Sequence, residues 1–193
     1  MEHRDVVRRR RMVRRYRTDP VDPAALERIV AAAGRGPTAG NAGGISLVAV
    51  TSQETRTALA GLAGEAGWVA RGYQPWLSAA PVHLVLCVEP ATYRSRYAEP
   101  DKDPAALAIP WWWVDGGAAL LLILQAAVDE GLAAGFLGAH AVAGVADLLG
   151  IPKGVEVVGI VTIGHPLPEA PASSARRGRR PFGEFVHREH WGR

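Results

Sequence analysis

Apolar positions along the chain recur at two spacings. In "DPAALERIVAAAG" (22–34), Leu26, Ile29 and Val30 fall on one helical stripe, with Asp22 as N-cap, Pro23 in the first turn and Gly34 as a stop. Weaker helical patterns cover 3–15, 53–63 and 142–150, and a long apolar helix is predicted over 114–130. Four short apolar runs read as strands: "ISLVAV" (45–50), "PVHLVLCV" (81–88), "AAGFLG" (133–138) and "VEVVGIVTIG" (155–164). The stretch 89–110 holds four prolines and mixed charge, and is read as irregular. Helices and strands are interspersed without the regular alternation of a doubly wound sheet, which predicts an α+β class. No internal repeat and no dividing linker is visible, so residues 1–193 read as one domain.

Composition narrows the compartment. Cys87 is the sole cysteine, so an internal disulfide and a cysteine-based metal site are both excluded, and a reducing cytoplasm is expected. The basic start runs into Asp19, Pro20, Asp22 and Pro23 rather than an apolar segment, so no secretory signal is read there. The run 114–128 is short for a bilayer and contains Gln125, which favours a core or interface helix and no membrane association.

Charge changes the picture more. The net charge is +3, but residues 1–17 carry eight arginines against Glu2 and Asp5, and residues 176–193 carry six against Glu184 and Glu189. Both ends are basic and the body between them is acidic. A nucleic-acid groove spreads Lys and Arg over a face with interleaved aromatics, so no nucleic-acid partner is expected. On charge alone, two solvated tails and two arms converging on one anion remain equally open. Arginine suits the second role because its planar fork donates paired, charge-assisted hydrogen bonds to phosphate. "PTAGN" (37–41) is a small-residue loop that lets backbone N–H groups approach a flat polar ligand, and Asn41 offers donors and an acceptor. His187 and His190 lack a third ligand, so no metal is expected, and His83 within an apolar strand reads as a core histidine. No dinucleotide fingerprint, phosphate loop or nucleophile elbow occurs.

"RRMVRRY" (10–16), "PVDPAAL" (20–26) and "PTAGN" (37–41) together resemble the opening blocks of the nitroreductase family of FMN-dependent oxidoreductases. "QAAVDEGLAAGFLG", "LLGIPKGVEVVGIVTIGHP" and "RGRRPFGEFVHREHW" resemble its later blocks, in the same order. The resemblance implies an intertwined homodimer with a central, mostly antiparallel or mixed sheet flanked by helices, and FMN in the interface. It places Arg10, Arg11, Met12 and Arg14 at the FMN phosphate and ribityl chain, with Arg177 and Arg179 of a C-terminal basic arm (168–193) approaching the same phosphate. Pro37, Thr38, Ala39 and Asn41 match the loop beside the ring, and Phe136, Leu137 and Gly138 the segment reaching the flavin's reactive edge. Trp111, Trp112 and Trp113, at the end of a lid segment 89–113, match a region that lines the substrate pocket; anchoring is the plainer role for any one of them.

Two positions depart from the family pattern. Met12 stands where a serine is usual, and Gly43-Gly44-Ile45 replaces a Gln-Pro-Trp. The implied activity is transfer of hydride or electrons from NAD(P)H to a small flat acceptor such as a nitroaromatic or quinone, with no side chain assigned as acid or base. The alternative is a flavin- or deazaflavin-binding protein with little turnover.

Overall fold

A computed structural model describes residues 1–168 and 178–192. Arg177 lies outside the described residues. The helices are α1 (His3–Arg9), α2 (Pro23–Ala33), α3 (Gln53–Leu62), α4 (Glu65–Val69), α5 (Pro90–Tyr97), α6 (Trp111–Asp129), α7 (Val145–Leu149) and α8 (Phe182–Phe185), and the strands are β1 (Ile45–Val50), β2 (Val82–Val88), β3 (Ala133–Gly138) and β4 (Glu156–Gly164). This is an α+β fold around one four-stranded sheet of order β1-β2-β4-β3, with every neighbouring pair antiparallel.

The sheet is covered on both faces, which explains why β2 is buried at every residue. Alternation sorts its side chains. Val82 and Leu84 join Val161, Ile163, α2 and α6 in one core cluster. Val85 and Cys87 join Ile160, Leu59 of α3 and Val145 of α7 in the other. Helix α2 forms as its sequence requires: the Asp22 carboxylate accepts from the Ala24 amide, Pro23 occupies the first turn, and Ile29 is fully buried.

Four expectations change. The helix expected over 3–15 stops at Arg9, because Arg10–Arg17 is extended: Met12 forms a parallel bridge with Ala134, and Tyr16 an antiparallel one with Pro166. The irregular stretch 89–110 contains α5 and a short 3-10 turn at Pro104–Ala108; Pro90 and Pro104 begin these elements rather than break them. The long helix begins at Trp111, and its 19 residues are long and apolar enough, by length and composition, to cross a membrane. It nonetheless buries Asp115, Gly116, Ala119, Ile123, Leu124 and Ala127 and packs against α2 and the sheet as a core helix. The helix expected over 142–150 is trimmed to α7, with left-handed glycines at both ends, Gly144 and Gly150.

Candidate functional site

The arginine segment is fixed by its apolar residues. Val13 and Tyr16 are buried, and the Val13 amide donates to the Ala134 carbonyl at 2.9 Å. Farther along, Arg17 N–H donates to His165 O at 2.9 Å, and Leu167 N–H donates back to Arg15 O at 3.0 Å. Close docking depends on Gly135, where an added Cβ would lie 2.3 Å from the Val13 carbonyl oxygen. A hydrogen-bond chain seals the contact beneath. The Trp76 indole, a donor only, gives its proton to Thr162 Oγ1 at 2.9 Å. Thr162 Oγ1 in turn lies 2.9 Å from the Tyr16 hydroxyl, which donates to Val13 O at 2.6 Å.

With Val13 and Tyr16 turned inward, the arginines face out. Arg8 pairs with Asp5, Arg17 with Asp19, and Arg15 donates to Pro168 O at 3.1 Å. The Arg14 guanidinium sits 4.9 Å from the Trp76 ring centroid, a cation–π contact that holds it on that shelf. Trp76 is itself held from behind, because the Glu65 carboxylate accepts the Trp76 and Leu77 amides at 2.6 Å each and the Ser78 amide at 3.2 Å. The guanidinium groups of Arg10 and Arg11 have no hydrogen-bond or ion-pair partner among the described residues, although the Arg10 backbone amide caps α1 by donating to Val6 O at 2.9 Å. Their charges are available to an anion. Met12, between them and Val13, exposes its thioether and supplies no donor.

The 36–44 loop is held by other elements. Thr38 Oγ1 accepts from the Gly43 amide at 2.8 Å, and a short 3-10 turn spans Ala39–Asn41. Asn41 has φ +57°, a conformation asparagine tolerates better than most residues, so backbone geometry accounts for part of its presence. Arg96 Nε donates to Gly40 O at 2.8 Å while its guanidinium is paired with Asp101. The Ala39 amide donates to buried Asp115 Oδ2 at 2.8 Å, and the Tyr93 hydroxyl reaches the same oxygen at 2.7 Å. Burial, with Asp115 beside it, pushes the Tyr93 phenol well above its ordinary range. Pro37 and Asn41 are exposed; Thr38 and Ala39 are half-buried.

At the end of β3, Phe136 packs into one core cluster and Leu137 into the other. Their side chains are committed to the core, so backbone is what this segment can present up to Gly138. The three tryptophans separate. Trp111 Nε1 donates to Ala106 O at 2.8 Å, anchoring the helix to the preceding turn. Trp112 lies against Tyr93 (ring centroids 6.2 Å apart) and under Arg94, and its indole nitrogen is buried without a partner among the described residues. Trp113 is exposed. Arg179 is exposed on the C-terminal arm, whose hydrogen bonds stay within the arm among the described residues.

Topology separates these parts. The loop runs into β1 and the arginine segment lies outside β3, and these are the two edges of the sheet. Three strand spacings of about 4.8 Å put the edges roughly 14 Å apart. Sequence reasoning missed Asp115, Tyr93, Trp76 and Glu65. A signal existed for Asp115 alone, as the one acid inside the apolar run 111–128.

The chain matches the nitroreductase family over residues 7–165 and belongs to it. The FMN reductase (NAD(P)H) of Bacillus subtilis strain 168 is 29% identical over 195 residues, spanning 93% of this chain and 70% of that protein. Nitroreductase A from Vibrio parahaemolyticus shares the fold with a TM-score of 0.78 at 24% identity, over 99% of this chain and 77% of that one. The NADPH:FMN oxidoreductase of Vibrio harveyi, solved with NAD+, gives 0.75 at 23% identity, over 99% and 78%.

Proposed function

We propose that the protein is an FMN-dependent oxidoreductase that takes hydride from NAD(P)H and passes hydride or electrons to a small flat acceptor such as a nitroaromatic or quinone. The observation that carries this reading is the pair Arg10 and Arg11, whose guanidinium groups have no partner among the described residues, on a backbone segment hydrogen-bonded to β3. Family membership supplies the context. The donor set fits the group: exposed guanidinium forks suit a phosphate dianion, and the constrained small-residue loop suits a flat polar ring.

In this reading Arg10, Arg11 and Arg14 hold the phosphate, with Arg177 and Arg179 converging from the arm. Pro37, Thr38, Ala39 and Asn41 border the ring, and the Phe136–Gly138 backbone approaches its reactive edge. FMN, when bound, supplies the hydride chemistry. The chain's own residues bind and orient: Trp76 sets the Arg14 guanidinium, and Glu65 sets Trp76. The exposed Trp113 is the tryptophan best disposed to meet an acceptor, whereas Trp111 and Trp112 serve as anchors.

A second copy of the chain belongs to this reading. With the loop and the arginine segment on opposite sheet edges, a two-fold dimer would bring the loop of one protomer to the arginines of the other. Helix α6 leaves Val114, Gly117, Ala118 and Leu121 on one outward stripe, with Val114 55% and Leu121 47% exposed. Phe182, Phe185 and Trp191 of the arm are also exposed. These apolar surfaces are of the kind a partner covers. A cytoplasmic setting fits the buried Cys87, whose thiol burial pushes up to about 11 and so keeps protonated and unreactive.

The test is anaerobic addition of NADH or NADPH to FMN-loaded protein. Bleaching of the flavin absorbance, reversed by a quinone, is expected. Flavin that binds but stays oxidised with both donors contradicts the reductase reading.

A further inference from the structure

We propose that Asp115 is a positioning residue for flavin binding: its carboxylate pins the Ala39 amide and thereby sets the backbone of the 36–44 loop. The proposal rests on the reading of that loop as the ring-binding segment. Asp115 is 5% exposed, on a helix whose residues 111–128 are otherwise without an acid. Burying a carboxylate is costly unless it is hydrogen-bonded or paired, and no ion pair among the described residues neutralises this one. Its Oδ2 instead gathers two neutral donors from separate elements, the Ala39 amide at 2.8 Å and the Tyr93 hydroxyl at 2.7 Å.

The two donors give the arrangement its direction. Tyr93 belongs to α5, and its ring passes so close to the loop that a Cβ on Gly44 would lie 2.4 Å from Cε2. The Glu89 amide holds Gly44 O at 2.9 Å, and Arg96, also on α5, holds Gly40 O at 2.8 Å. Helix α5 thus grips the loop at Gly40 and Gly44. Asp115 links α5 to α6 and takes the amide that lies between candidate residues Thr38 and Asn41. Loosening that tie frees the residues facing the ring while leaving both helices packed. Preorganisation of this kind appears as ligand affinity.

The experiment titrates FMN into wild-type protein, Asp115→Ala, Asp115→Asn and Tyr93→Phe, following quenching of flavin fluorescence. Hydrogen exchange of residues 37–44 in the flavin-free proteins is measured alongside. Asp115→Ala is expected to weaken FMN binding about tenfold or more and to speed exchange within the loop. Asp115→Asn keeps an acceptor oxygen and loses the charge, so it is expected to stay within about threefold of wild type; Tyr93→Phe keeps the Ala39 bond and falls between. Folded Asp115→Ala with wild-type affinity overturns the proposal, as does an Asn variant impaired as much as the Ala variant. Should the Ala variant fail to fold, Asp115→Leu, of similar size but without an acceptor for the Ala39 amide, replaces it, and wild-type affinity and exchange there overturn the proposal. Wild-type protein that takes up no FMN overturns the functional reading first, before any variant is compared, and this proposal with it.

Discussion

Val13 and Tyr16 decide where the arginines around them point. Each is nearly fully buried, so the chain between and beside them must turn its cations outward. The sequence showed the cations and the apolar pair but not the consequence, because the same residues satisfy a helical stripe as readily as an extended edge. His83 is a second case. It is the core histidine its apolar strand predicts, but only half satisfied. Its Nε2 meets Leu77 O at 2.8 Å, but Nδ1 is buried without a partner among the described residues. Burial pushes this imidazole down to about 4, with neighbouring Arg56 adding to the effect. The unfolded chain binds a proton near 6.5 and the folded one only near 4, so the unfolded state gains protons as pH falls between these values. Stability from neutral His83 is therefore fully present above about pH 6.5 and declines toward pH 4, by roughly 2–3 kcal/mol. Urea unfolding across that range should show the decline, and His83→Gln should flatten it. An unchanged slope in the variant would refute this assignment.

At the scale of elements, the four strands and helices α2, α3 and α6 were legible because apolar spacing and caps agree with packing. Helix α5 was not, since four prolines between 89 and 110 read as breakers. Pro90 stands where a missing N–H costs nothing. The arginine segment is extended where its spacing predicts a helix, and the sign of its true state lies elsewhere in the chain, at Gly135. Any side chain there collides with Val13 O and crowds Thr162. Gly135→Val is expected to undock the segment from β3 while the sheet persists. Limited trypsin digestion read by mass spectrometry should then cut at Arg14 and Arg15 several times faster than in wild type. Equal rates would mean that the segment is held by something other than this close approach.

For the whole molecule, the basic ends and acidic body were visible in the sequence, and so was the order of the family-like blocks. What the sequence could not reveal is the strand order. It places the small-residue loop at one edge of the sheet and the arginine segment at the other, which is why the site as proposed calls for two protomers. The central proposal is that the outward arginines beside β3 hold the FMN phosphate. Its most direct test is an FMN titration of purified wild-type protein beside Arg10→Ala/Arg11→Ala, with thermal unfolding recorded for both. Wild type should saturate at one FMN per chain, and the double variant should unfold at the same temperature yet bind on the order of thirtyfold more weakly or worse, as loss of charge-assisted hydrogen bonds requires. Equal affinity in the two proteins would contradict the claim.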